Sequence, residues 1–200
     1  MPVARKKWRC ADLSDSCFPM AGDRICAHAI PPPREGPACN GAASSTLPGV
    51  RLQFPDDKCS YTQAVLAAGI VMKYELVIDA DVTGVHPTPA DAGRCGMPDA
   101  ASGLIVGFKL EGQGQQFCRC DVGPCPGGTF TTTARKGTYA GGIAWDGRNW
   151  GGPSDTNNPK GPPFPPGTYT LTVSAGGTRE VAGGAPQSFA VSAARFITVE

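Results

Sequence analysis

Reactive and strongly charged groups are scarce in this 200-residue chain. It has two histidines, His28 and His86, and 18 basic against 17 acidic residues, a formal net charge of +1. A surface so balanced, with a pI near 7.5, lacks the cationic excess that phosphate contacts require, which argues against nucleic-acid binding. Long apolar runs are missing too. The best, Ala64 to Met72, falls well short of the roughly 20 residues a membrane-spanning helix needs, so no transmembrane segment is expected. The commoner enzyme signatures are absent. There is no G-x-S-x-G elbow, no phosphate-cradling G-x-x-x-x-G-K-S/T loop, no H-E-x-x-H zinc pair and no G-x-G-x-x-G dinucleotide turn. No C-x-x-C occurs, which removes a thioredoxin-type redox site. No N-x-S/T sequon offers a site for N-glycosylation.

What the chain does have is glycine, proline and cysteine. Gly 27 and Pro 20 together approach a quarter of all residues. That content rules out long helices, because both residues break them. Nine cysteines stand at positions 10, 17, 26, 39, 59, 95, 118, 120 and 125. Five precede residue 60 and four lie between 95 and 125. An oxidising compartment is the natural home for so many, and we expect an extracytoplasmic location: periplasm, outer surface or secreted. The first thirty residues hold no apolar core of a signal peptide, so a leader is expected to have been removed ahead of the numbering.

Residues 1–47 show neither the period of a strand nor that of a helix. They carry Pro31-Pro32-Pro33, Pro37 and four cysteines, and read as an irregular, disulfide-stapled arm. From residue 48 onward the pattern becomes that of a β domain. Leu52 and Phe54 alternate with Arg51 and Gln53. Val71 to Ala80 puts Met72, Tyr74, Leu76 and Ile78 on one face and Lys73, Glu75 and Asp79 on the other. Leu104, Val106, Phe108 and Leu110 repeat this alternation. Thr129–Thr133, Thr138–Trp145, Thr168–Ser174 and Gln187–Glu200 supply further strands, and one short helix or turn falls near Thr62 to Ala68. Alternating faces separated by Gly/Pro turns predict an all-β fold, an antiparallel two-sheet sandwich of immunoglobulin-like type over 48–200. Thr83–Ser102 and Asn149–Pro166 read as long insertions, with His86 in a solvated loop.

The densest cysteine cluster is Cys118, Cys120 and Cys125, with Cys95 upstream. Four thiolates could bind zinc, but C-x-C with C-x4-C lacks paired C-x-x-C knuckles. Two disulfides are therefore the preferred reading. Adjacent-but-one cysteines cannot readily bond each other, so Cys118 and Cys120 should take different partners, one stapling the interior and the other a surface loop. Asp79-Ala80-Asp81 and Asp155-Thr156-Asn157-Asn158 offer oxygen ligands of the kind calcium takes, yet too few of them, and turn capping is the simpler role. No cofactor or metal is expected.

The most specific stretch is Trp145-Asp146-Gly147, then Gly161-Pro162-Pro163-Phe164-Pro165-Pro166-Gly167-Thr168-Tyr169-Thr170-Leu171-Thr172-Val173. It reads as a strand ending in a buried Trp145, a turn at Gly147, a loop, a turn at Gly167, and a strand entered by a buried Tyr169. It resembles the W-D-G…G-x-x-V-P-x-G-x-Y-x-L pattern of bacterial Ig-like domains. Such domains include the Ig-like domain of the flagellar hook-capping protein and the intracellular proteinase inhibitor (BsuPI-type) domain. Phe164 stands where those families have a small aliphatic residue, and 148–160 is longer than in them. The resemblance implies a non-enzymatic structural, adhesive or protein-binding module. Its partner would be another protein or subunit of an envelope or extracellular assembly. Two alternatives stay open: a proteinase inhibitor presenting the loop Asn149–Pro166, and a zinc-stabilised cytosolic domain.

Overall fold

The computed structural model describes residues 39–88, 98–118, 130–151 and 159–200. The chain divides into two units, Met1–Gly36 and Pro37–Glu200, and everything described below lies in the second. In chain order its elements are β1 (Asn40–Ser45), β2 (Val50–Gln53), β3 (Ser60–Tyr61), α1 (Gln63–Ala67), β4 (Ile70–Ile78), β5 (Val82–Thr88) and β6 (Val106–Gly112). Then come β7 (Gln115–Cys118), β8 (Thr132–Ala134), β9 (Gly137–Trp145), β10 (Trp150–Gly151), β11 (Gly167–Arg179) and β12 (Gln187–Val199). Among the described residues no helix is long and apolar enough to cross a membrane.

The fold is all-β and built from two sheets. The larger runs β1-β12-β11-β6-β7-β10, with β3 beside β12 and β5 between β11 and β8; the smaller runs β2-β4-β9. Pairing is antiparallel except for two short parallel contacts, β10 on β7 and β3 on β12. The spine is the β11–β12 hairpin, paired from Gly167↔Val199 to Arg179↔Gln187. Period two explains which residues enter the core. Tyr169, Leu171, Val173 and Ala175 of β11 and Phe189, Val191, Ala193, Ile197 and Val199 of β12 are all buried. All of these but Ala175 meet Leu52, Met72, Leu76, Ile78, Ile143 and Trp145 from the smaller sheet in one hydrophobic cluster, as two sheets packed face to face require. Tyr74 lies across Gly141 on the neighbouring strand, where a methyl group would stand 2.1 Å from the ring.

Two expectations change. Asn40–Ser45 was assigned to the irregular arm; it is a strand on the edge of the larger sheet, paired with β12, and Leu47 belongs to the core. The sheet therefore begins ahead of residue 48. Its small side chains show no alternation because β12's free backbone groups hold it there. The insertion expected over Thr83–Ser102 opens instead with β5, paired with β11 over Val85–Thr88. Gly84 and Pro87 disguise it, and its ladder to β8 is irregular between Val82 and Val85, the kind of place where such residues are tolerated in sheets. On β12 Phe196 is exposed at 42%, while its neighbour Arg195 is fully buried. The short helix falls where expected, with the Thr62 side chain accepting a hydrogen bond from the Val65 amide as its N-cap.

Candidate functional site

The motif residues converge on one corner of the sandwich. Trp145 ends β9, 2% exposed, and Tyr169 enters β11, 1% exposed. Phe164 joins them: its ring meets Trp145 edge-on at 5.0 Å and Tyr169 at 4.7 Å. Phe117 of β7 closes the group at 6.0 Å from Trp145. The polar ends of the rings are matched. Trp145 Nε1 donates to the Arg148 carbonyl at 3.1 Å, and Tyr169 Oη donates to the Pro165 carbonyl, four residues upstream, at 2.6 Å. Burial raises the Tyr169 pKa, which keeps that hydroxyl a donor.

Gly147 has φ +77, and a Cβ there would lie 2.8 Å from Leu66 Cβ on α1, so the position needs glycine twice over. Gly167 opens β11 beside the Gln113 side chain. The neck of the 148–166 segment is ladder-like: Phe164 N–H to Gly147 O at 2.7 Å, Asn149 N–H to Pro162 O at 2.9 Å, and Gly161 N–H to Asn149 O at 2.6 Å. Asp146 fastens it further. Its carboxylate accepts from Lys160 Nζ at 2.6 Å and from the Arg148 amide at 3.3 Å. Burial opposes ionisation of Asp146, but these hydrogen bonds and the Lys160 charge outweigh it and hold the pKa below the usual carboxylate value. Trp145, Asp146, Phe164 and Tyr169 are thus all engaged in holding the corner.

Of the cysteine cluster, Cys118 is fully buried at the end of β7 and is disulfide-bonded. This fits the interior staple and disfavours a zinc thiolate at that position. Its partner lies outside the described residues, as do Cys95, Cys120 and Cys125. A second disulfide joins Cys39 to Cys59 and ties the start of β1 to the segment entering β3. Next to that bond sits Arg195. Its NH1 donates to Asp56 Oδ1 at 2.7 Å, and its guanidinium lies over the Phe54 ring at 4.9 Å. Among the described residues its Nε and NH2 have no hydrogen-bond partner. Tyr61, close by, donates to the Lys58 carbonyl at 3.0 Å. Its pKa is raised by burial and by the Asp56 charge, against the opposing pull of Arg195.

A cleft that the sequence did not reveal lies beside β5 and β8. Its volume is about 550 Å³, and Asp99, Phe130, Thr131, Thr133 and Arg135 are among its walls. At its rim His86 links two elements, with Nε2 2.9 Å from Glu180 Oε1 and Nδ1 3.3 Å from Thr131 Oγ1. A hydroxyl, an imidazole and a carboxylate in line can activate a nucleophile. Here, however, the Glu180 side chain is 61% exposed, so water screens the chain of contacts and its evident effect is to hold the imidazole still. Asp99 is committed to its own turn, accepting from the Ser102 amide at 2.7 Å. That bond, against the cost of burial, keeps its pKa low. The clue in the sequence was the threonine run beside Phe130, which needs a partner strand. The carboxylates considered for calcium are engaged as well. Asp79 pairs with Arg51 at 2.8 Å, and Asp81 accepts from the Lys136 amide at 2.7 Å. Asp155-Thr156-Asn157-Asn158 lies outside the described residues.

No family model matches this chain, and neither does any curated protein or any solved structure.

Proposed function

We propose that the chain is an immunoglobulin-like, non-enzymatic protein-binding module of a cell-envelope or extracellular assembly. The observation that carries this reading is the corner at Tyr169. A buried tyrosine opening a strand, its hydroxyl bonded to backbone four residues upstream, is a recurrent device of Ig-like sandwiches. The strand order supports the same assignment, with β12, β11, β6 and β7 adjacent in one sheet and β2, β4 and β9 in the other. The disulfide Cys39–Cys59 supports an oxidising compartment. A frame held by rings and disulfides presents fixed surfaces, which is what docking to another subunit uses.

In-cell cross-linking of the full-length protein, followed by compartment fractionation and a free-thiol count under denaturing, non-reducing conditions, tests this. The expected result is at least six oxidised cysteines and a discrete protein partner in an extracytoplasmic fraction. Five or more free thiols in native protein, or recovery in the cytosol alone, would overturn it.

A proteinase-inhibitor role is the second reading. It is favoured by the hydrogen-bonded neck at Gly147–Asn149 and Gly161–Phe164, which clamps both ends of a segment and so suits a rigid presented loop. Inhibition of a protease panel, abolished when Arg148–Pro163 is replaced by a short Gly-Ser turn, would decide for it.

A further inference from the structure

The smaller sheet ends on β9. Among the described residues β9 pairs with β4 along its whole length and with no strand on its other side. It is nine residues long and carries neither charge nor proline. Proteins usually guard an edge of that length with lysine, proline or a bulge, because its unpaired N–H and C=O groups template pairing with another chain. Its outward side chains, Thr138, Ala140, Gly142 and Ala144, are exposed and small. The opposite edge, β2, has four residues and includes Arg51.

We propose that β9 pairs with β9 of a second copy of this chain, antiparallel about a two-fold axis through Gly141, joining two three-stranded sheets into one of six strands. Three constraints select that register. Exposed residues must oppose exposed residues, so the axis passes through a residue and not between two. Gly141 is the midpoint of Gly137–Trp145, so all nine residues find a partner. Charge then separates this axis from its neighbours. In the β4–β9 ladder Lys73 stands opposite Gly142 and Glu75 opposite Ala140. With the axis at Gly141, Gly142 faces Ala140 of the second copy, and each Lys73 comes into line with a Glu75 across the junction. The two are three strand spacings apart, about 14 Å, with only a glycine and an alanine between them, so the two long side chains can lean together. An axis at Ala140 would instead line Glu75 up with Glu75, and one at Gly142 would line Lys73 up with Lys73; like charges in one row are unfavourable. Lys73 makes no ion pair among the described residues, and Glu75 is held only by the neutral Gln53 amide at 2.8 Å. Both charges are therefore available to the junction. This self-pairing depends neither on the compartment nor on the partner proposed above.

Sedimentation equilibrium of the full chain, in a concentration series reaching roughly 1 mM, the weak limit of specific association, tests it. A strand junction is a small interface, so a weak, reversible dimer is expected. Lys73→Glu and Glu75→Lys, each with an unchanged circular-dichroism spectrum, should weaken it roughly tenfold, since exposed pairs are individually modest. Mixing the two variants should restore association, as should combining both substitutions in one chain. A chain that stays monomeric throughout the series overturns the proposal, as does a dimer that neither reversal weakens.

Discussion

Two corners of this sandwich are held by opposite means. At Trp145–Tyr169 the grip is apolar: four aromatic rings in a chain of contacts, with each polar tip given one backbone partner. At Arg195 the grip is a buried cation, one carboxylate and a disulfide, with two guanidinium nitrogens left without partners among the described residues. Ring packing gains from burial and loses little to desolvation. A buried charge must recover a large desolvation cost before it contributes anything, and removal of its counter-ion is the dangerous change. The first corner should thus be sensitive to loss of volume, and the second to loss of charge balance but tolerant of losing both charges together.

The largest effect is expected at the aromatic corner. Trp145→Ala should cost about 3–5 kcal/mol, the range for a large aromatic removed from a core. Arg148→Ala should stay within about 0.5 kcal/mol, because it is the Arg148 carbonyl that receives the indole N–H. Urea unfolding of both variants checks this. Equal small effects would mean that the rings fill space without holding the corner.

The Arg195 corner supplies the contrast. Asp56→Ala should destabilise by about 1–3 kcal/mol, the cost of leaving a buried donor unmatched, moderated because the Asp56 side chain is 43% exposed. Adding Arg195→Met should recover most of that loss, since an apolar replacement of similar length removes the charge that needed a partner. A double variant no more stable than Asp56→Ala alone would show that the stem and the Phe54 contact of Arg195 matter more than its charge.

These two corners also differ in how far they can be read from sequence. The aromatic one is nearly all local: Trp145, Gly147, Phe164 and Tyr169 fall within twenty-five residues, and each residue type announces its role. The strands around it show period two plainly, as in Met72, Tyr74, Leu76 and Ile78. The other corner is long-range. Arg195 sits in a run of alternating residues where a charge reads as outward, and its burial depends on Asp56, 139 positions away. Asn40–Ser45 is similarly silent, since NGAASS shows no face and owes its place to β12's edge. His86 was hidden by Pro87 and became meaningful only when Glu180 and Thr131 arrived beside it. Pattern reveals what a segment buries; it does not reveal which distant backbone or counter-ion a segment will find.

Within the aromatic corner, ring volume and hydroxyl bonding can be separated. Tyr169→Phe keeps the ring against Phe164 and deletes the donor to Pro165. It should cost about 1 kcal/mol, the net value of an ordinary hydrogen bond, with the freed carbonyl raising the figure if water cannot reach it. A cost as large as that of Trp145→Ala would shift the weight of the corner from packing to this one bond.

The smallest effect belongs to Asp146, and it is the one that depends on pH. The fold lowers its pKa beneath the ordinary value of 3.8, so the folded state favours the carboxylate. The stabilisation is therefore fully present above the unfolded-state pKa and is lost as pH falls through the lower folded value. The Lys160 side chain is 55% exposed, so the ion pair should contribute no more than about 0.2–1 kcal/mol at neutral pH. Asp146→Asn keeps an oxygen for the Arg148 amide but removes the charge facing Lys160. The expected outcome is a modest gap in urea midpoint between the native chain and Asp146→Asn at neutral pH. The gap should narrow as pH falls through the carboxylate range and shrink in high salt, which screens exposed pairs. A gap that stays constant across pH would assign Asp146 to backbone capping alone, and the neck of the 148–166 segment would then owe its closure to its backbone ladder without help from charge.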